Sequence, residues 1–131
     1  MNEAKELARK ARECLGAAQM LAERFPSQAM EMLARSVETA LRAGCATEGI
    51  LFDAGDDHEL MVRFVPEGAW ATVSRDRVVR LMDSCRAWLS SGRTDGDFMI
   101  ALHADMSTAQ DFVGDAEACV YGRGMAVAAA A

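Results

Sequence analysis

The chain of 131 residues has the length of one domain, and a hydrophobic content of 51% with only 6% aromatic residues means a core built mainly from Ala, Leu, Val and Met. A net charge of −6 argues against a general nucleic-acid scaffold, whose affinity rests on clustered Lys and Arg. No run approaches the ~18 apolar residues that a membrane span needs, the opening Met1–Glu6 is polar rather than signal-like, and a cytoplasmic location is expected.

With two prolines and nine methionines the composition favours helices, Met filling irregular gaps between them. The first helix is expected over residues 3–24, where Leu7, Ala11, Cys14, Leu15, Ala18, Leu21, Ala22 and Phe25 recur at helical spacing. Gly16 costs this helix stability and points to close approach by a neighbour. Pro26 ends it, because the residue before a proline is pushed out of the α region. Ser27 then caps a second helix over 28–52, with Met30, Leu33, Val37, Leu41, Gly44 and Cys45 inward. The connection is short, so the two helices are expected to be antiparallel neighbours.

Asp53 to Glu59 is an acidic loop containing His58, and its spacing is not that of a calcium loop. Leu60 to Val65 suits a short helix or an extended segment, Pro66-Glu67-Gly68 is a turn, and Trp70 anchors the linker onto the bundle. The third helix is the clearest. Ser74 caps it, Asp76 sits in its first turn, and Val78, Leu81, Met82, Cys85 and Trp88 share one face. Gly92 supplies a left-handed stop. Arg75, Arg77, Arg80, Arg86 and Arg93 read as a solvated face.

Met99-Ile100-Ala101-Leu102 lacks a clear period and is expected to be a loop over the bundle end, with His103 at the surface. The last helix is expected to start at Ser107, where Ser107-Thr108-Ala109-Gln110 fits a capping box. Its core stripe is Ala109, Phe112, Val113, Ala116, Cys119 and Val120, Gly122 and Gly124 end it, and residues 125–131 form a frayed tail. Cys14, Cys45, Cys85 and Cys119 fall one per helix with no Cys-x-x-Cys pair, and read as small buried hydrophobes. The sum is an all-α chain: an antiparallel up-down four-helix bundle over residues 1–124, with a short extra helix or loop between the second and third long helices.

In order along the chain, Ala8-Arg9-Lys10-Ala11-Arg12-Glu13, Ile50-Leu51, His58, Phe64-Val65-Pro66-Glu67-Gly68 and Arg93-x-x-x-Asp97-Phe98 resemble features of the HEPN superfamily, in particular its small stand-alone proteins. The resemblance covers residues 4 to about 122. It implies a homodimer and a partnership with a minimal nucleotidyltransferase of toxin–antitoxin type. Two departures bear on activity. Where the family carries Arg-x-Tyr-Tyr in its second helix, this chain has Glu38, Ala40 and Leu41. Where HEPN ribonucleases place a histidine after the arginine, this chain has Phe98, and a phenyl ring transfers no proton; His103 lies ten residues past Arg93, outside the motif.

The resemblance therefore implies a non-catalytic module, with a ribonuclease of relocated histidine or a helical adaptor of another family as alternatives. No catalytic residue, metal ligand or cofactor is assigned. Arg93 and Asp97 suit a helix-end ion pair with Phe98 as a core plug; with His58 they also suit a groove for a nucleotide, RNA or a protein partner. The Trp88–Leu89 shoulder is the expected dimer contact.

Overall fold

The computed structural model describes residues 2–51, 63 and 70–130, and the side chains of 3–51, 63 and 70–122. Among the described residues, four long helices carry the fold: α1 (Asn2–Leu21), α2 (Pro26–Ala46), α3 (Arg75–Ser91) and α4 (Gly96–Ala130). There is no strand among the described residues, and the helices form an all-α bundle. The most extensive contact is between α1 and α2; α2 and α4 each pack against all three other helices, leaving α1 and α3 on opposite flanks. The acidic stretch with His58, the Pro66-Glu67-Gly68 turn and, apart from the helical Arg63, the segment expected over Leu60–Val65 lie outside the described residues.

Helix α1 stops at Leu21, not at residue 24, because the chain turns there to start α2 with Pro26 in its first turn. Proline is pre-shaped for that position and has no N–H to waste. Phe25 is the N-cap, with its carbonyl accepting the Ala29 N–H at 2.9 Å, so Ser27 lies inside the helix and does not cap it. This placement turns Phe25 outward, 52% exposed, whereas its sequence spacing put it in the core stripe. Gly16 has open space where a Cβ would sit, so no helix closes on it.

Helix α2 buries all six expected inward residues, but ends at Ala46 and not at 52. Gly49 takes a left-handed φ of 75°, and the N–H groups of Gly49 and Ile50 fold back on the carbonyls of Ala46 and Cys45 at 3.0 and 3.2 Å. That reversal satisfies the last carbonyls and forbids continuation. Ile50 is half-buried against the core and Leu51 is 67% exposed, so the pair lies past the helix and does not end it.

Helix α3 matches its expectation. The Ser74 hydroxyl accepts the Arg77 N–H at 3.3 Å, and Gly92 caps the other end at φ 68°. Val78, Leu81, Met82 and Cys85 are buried. Helix α4 departs furthest from its expectation. It begins at Gly96, takes in Met99–Leu102 and Ser107, and runs through Gly122 and Gly124 to Ala130, about 50 Å in all. Phe98, Leu102, Met106, Ala109, Val113, Ala116 and Val120 form one buried stripe at helical spacing, which the apolar but exposed Ile100 disguises. Within it Thr108 donates back to the Ala104 carbonyl at 3.3 Å, a helix-interior habit and not a cap.

The core runs through all four helices and takes in Val73, with Trp70 packed against it. Trp70 stacks on Phe112 at 5.4 Å between centroids, as an anchor of the linker should. Polar contacts lace α4 to its neighbours. Arg12 donates from Nε, at 3.1 Å, and from Nη2 to the Glu117 carboxylate, and His103 lies 3.7 Å from Glu23. Trp88 meets Phe98, and Ser84 meets Asp105, so contacts step back along α3 as they step forward along α4. Cys45 and Cys85 are buried and their thiols are pushed up to about 11 and about 12 by burial; Cys14 and Cys119 are only half-buried.

Candidate functional site

The residues between α3 and α4 form a closed joint. Ser91 donates its hydroxyl to the Trp88 carbonyl at 2.6 Å and accepts the Arg93 N–H at 3.1 Å, which fixes the exit from α3 around Gly92. Arg93 then folds back so that its guanidinium carbon sits 4.9 Å over the Trp88 ring. A cation on that face meets the negative side of the ring quadrupole.

Two carboxylates answer the guanidinium. Asp95 Oδ2 accepts from Nε at 2.9 Å and lies 2.8 Å from Nη2, while Asp97 Oδ2 is 3.3 Å from Nη2. The expected Arg93–Asp97 pair therefore forms, but the nearer partner is Asp95, two residues on. Asp95 also caps α4, because its Oδ1 accepts the Phe98 N–H at 3.1 Å. The Phe98 N–H, then the Arg93 guanidinium, hold the Asp95 carboxyl below its usual range. Arg93 is raised in turn, chiefly by its hydrogen bond to Asp95.

Phe98 is buried, with its ring edge-on to Trp88 at 5.7 Å and 86°. The plug expected from the sequence is present and it fixes the ring that Arg93 covers. Of the four residues singled out, the fold thus brings Arg93, Asp97 and Phe98 together; His58 lies outside the described residues. His103 lies on α4 beside Glu23 of the α1–α2 turn. Chemically the joint can hold a helix end and an exposed charge pair. It presents a guanidinium but no proton carrier at Phe98.

Sequence reasoning passed over three acids. Asp95 was legible as an Asp three residues before a buried position, the usual cap spacing. Asp115 was not: it is buried in the α4 stripe, and its Oδ2 accepts the N–H groups of Thr72 and Val73, both at 2.9 Å, some 40 residues away. Asp105 is half-buried, takes the Ser84 hydroxyl at 2.6 Å, and has its pKa raised by burial against the opposing pull of that bond. No group of metal-ligating side chains occurs among the described residues, nor does any helix there have the length and apolarity to cross a membrane. Comparison with protein-family models, curated proteins and solved structures finds no match.

Proposed function

We propose that this chain is a non-catalytic, HEPN-like helical module with up-down topology that acts through protein–protein contacts, as a homodimer and in partnership with a minimal nucleotidyltransferase of toxin–antitoxin type. The observation that carries the reading is the closure of the Arg93 joint: its guanidinium is matched by Asp95 and Asp97 and stacked on Trp88, while Phe98 fills the core. Those side chains build the start of a helix and leave interaction surfaces as the means of action.

Exposed apolar side chains support association. Met20, Phe25 and Ile100 are 87%, 52% and 71% exposed. The His103–Glu23 contact brings α4, one turn past Ile100, to the turn that holds Phe25. The Trp88 ring is occupied by Arg93 and Phe98, so Leu89 is the part of that shoulder available to a second copy.

Light scattering at micromolar concentration is expected to give twice the 14.1 kDa chain mass, and 14.1 kDa itself would remove the homodimer. Co-expression with a nucleotidyltransferase encoded beside this chain is expected to give a stoichiometric complex; separate elution would remove that partner. RNA cleavage abolished by Arg93→Ala would replace the whole reading with a ribonuclease.

A further inference from the structure

A cleft opens between α3 and α4, back along α3 from the Arg93 joint. Its volume is about 290 Å³, at the lower edge of small-molecule pockets. Arg77, Arg80, Leu81 and Ser84 line it from α3, and Asp105 and Thr108 from α4. Residues 77, 80, 81 and 84 form one stripe of a helix, and 105 and 108 are one turn apart on another, so the lining follows from helical spacing alone. The stretch from Arg77 to Ser84 is about 10 Å long.

The cleft is electrically two-ended. Arg9, Arg12 and Arg93 all have carboxylate partners in the fold. Among the described residues, Arg77 and Arg80 have no ion pair or hydrogen-bonded side-chain partner. Arg77 also lies in the first turn of α3, where the helix dipole favours an anion. At the other end stands the Asp105 carboxyl, closed by Ser84 at 2.6 Å. Burial raises the Asp105 pKa against the opposing pull of that hydrogen bond.

Hydrogen-bond capacity narrows the ligand. The Ser84 proton is committed to Asp105 and the Thr108 proton to Ala104, so the hydroxyl and carboxyl oxygens of the cleft are left to accept. The arginine side chains offer only donors. A ligand matched to both ends carries an anion at one end and hydroxyl donors at the other. Two adjacent guanidinium forks suit a phosphate dianion better than a single carboxylate.

We propose that the α3–α4 cleft binds a small phosphorylated polyol of the sugar-phosphate class, with its phosphate on Arg77 and Arg80 and its hydroxyls on Asp105, Ser84 and Thr108. This assignment is independent of the partner contacts proposed above.

The test is titration of the full chain with ribose 5-phosphate, inorganic phosphate and ribose, followed by backbone amide shifts. Ribose 5-phosphate is expected to shift residues of α3 and α4 around the cleft and to bind at least about tenfold more tightly than phosphate, with no binding of ribose alone. Arg77→Ala and Arg80→Ala are both exposed-surface changes, and each is expected to weaken ribose 5-phosphate roughly tenfold or more. Asp105→Asn is expected to weaken ribose 5-phosphate while leaving inorganic phosphate as tight or tighter. Equal affinity for the phosphate and the sugar phosphate would overturn the proposal, leaving a plain anion patch. Binding untouched by the arginine variants, or no shifts at millimolar ligand, would also overturn it.

Discussion

The guanidinium of Arg93 lies 4.9 Å above the ring of Trp88, and the edge of that ring meets Phe98. The stack crosses from the last turn of α3 to the first turn of α4, so the two helix ends are joined from solvent to core. The buried member dominates it, since exposed charge pairs contribute little and a fully buried aromatic much. Phe98→Ala is expected to cost about 3–5 kcal/mol in urea unfolding. Arg93→Ala is expected to lower stability far less and to move the Trp88 indole N–H resonance while the fold is kept. A loss from Arg93→Ala as large as that from Phe98→Ala would show the ion pairs, not the ring, to be the anchor.

Asp95 and Asp105 respond to pH in opposite senses. Asp95 titrates below its unfolded value, so its contribution is complete above the ordinary aspartate pKa of about 3.9 and is lost as pH falls through the depressed folded value. The gap in melting temperature between the wild type and Asp95→Ala is therefore expected to be full at pH 7 and to close in acid. Asp105 titrates above its unfolded value, so its favourable, protonated form is complete below about 3.9 and is lost as pH rises through the folded value. Asp105→Asn is accordingly expected to be at least as stable as the wild type at pH 7, with its relative advantage gone in acid. Melting curves for both variants across pH 3–8 check both signs.

Asp115 fastens the entry to α3 by accepting two backbone N–H groups with one oxygen. In Asp115→Ala those donors lose their partner, at about 1–3 kcal/mol for each one left buried. Val73 is buried and bears the larger part, whereas the exposed Thr72 can turn to water. Hydrogen exchange at the Val73 amide is expected to accelerate more than at any amide of α1. Unchanged exchange there would mean that core packing alone holds the segment.

Two glycines make a control pair. Gly92 has φ 68°, and an L side chain there costs roughly 1–2 kcal/mol, so Gly92→Ala is expected to destabilise by that amount. Gly16 is helical with open space around its missing Cβ, so Gly16→Ala is expected to stabilise by about 0.5–1 kcal/mol. Denaturant midpoints of the two variants moving in the same direction would contradict this account of both positions.

Periodicity by itself determined the helical class, the inward faces of α1, α2 and α3, and the Ser74 and Gly92 ends of α3, because a cap and an apolar stripe are local chemistry. It failed where two local signals competed. Pro26 can end one helix or begin the next, and the four-residue turn that decides between them also sends Phe25 outward. Ser107 carries a capping signature, yet α4 starts eleven residues earlier, because Asp95 already satisfies the Phe98 N–H and burial of Phe98, Leu102 and Met106 rewards an unbroken helix. At the candidate site Arg93 and Asp97 were legible from their spacing of four. The reach of Asp115 to Thr72 and Val73, and the cleft that sets Arg77 and Arg80 across from Asp105, depend on which helix faces which. Those pairings join residues 25 to 43 apart, and only the packing of α4 against α3 and the residues that lead into it brings them within hydrogen-bond reach or onto one cleft.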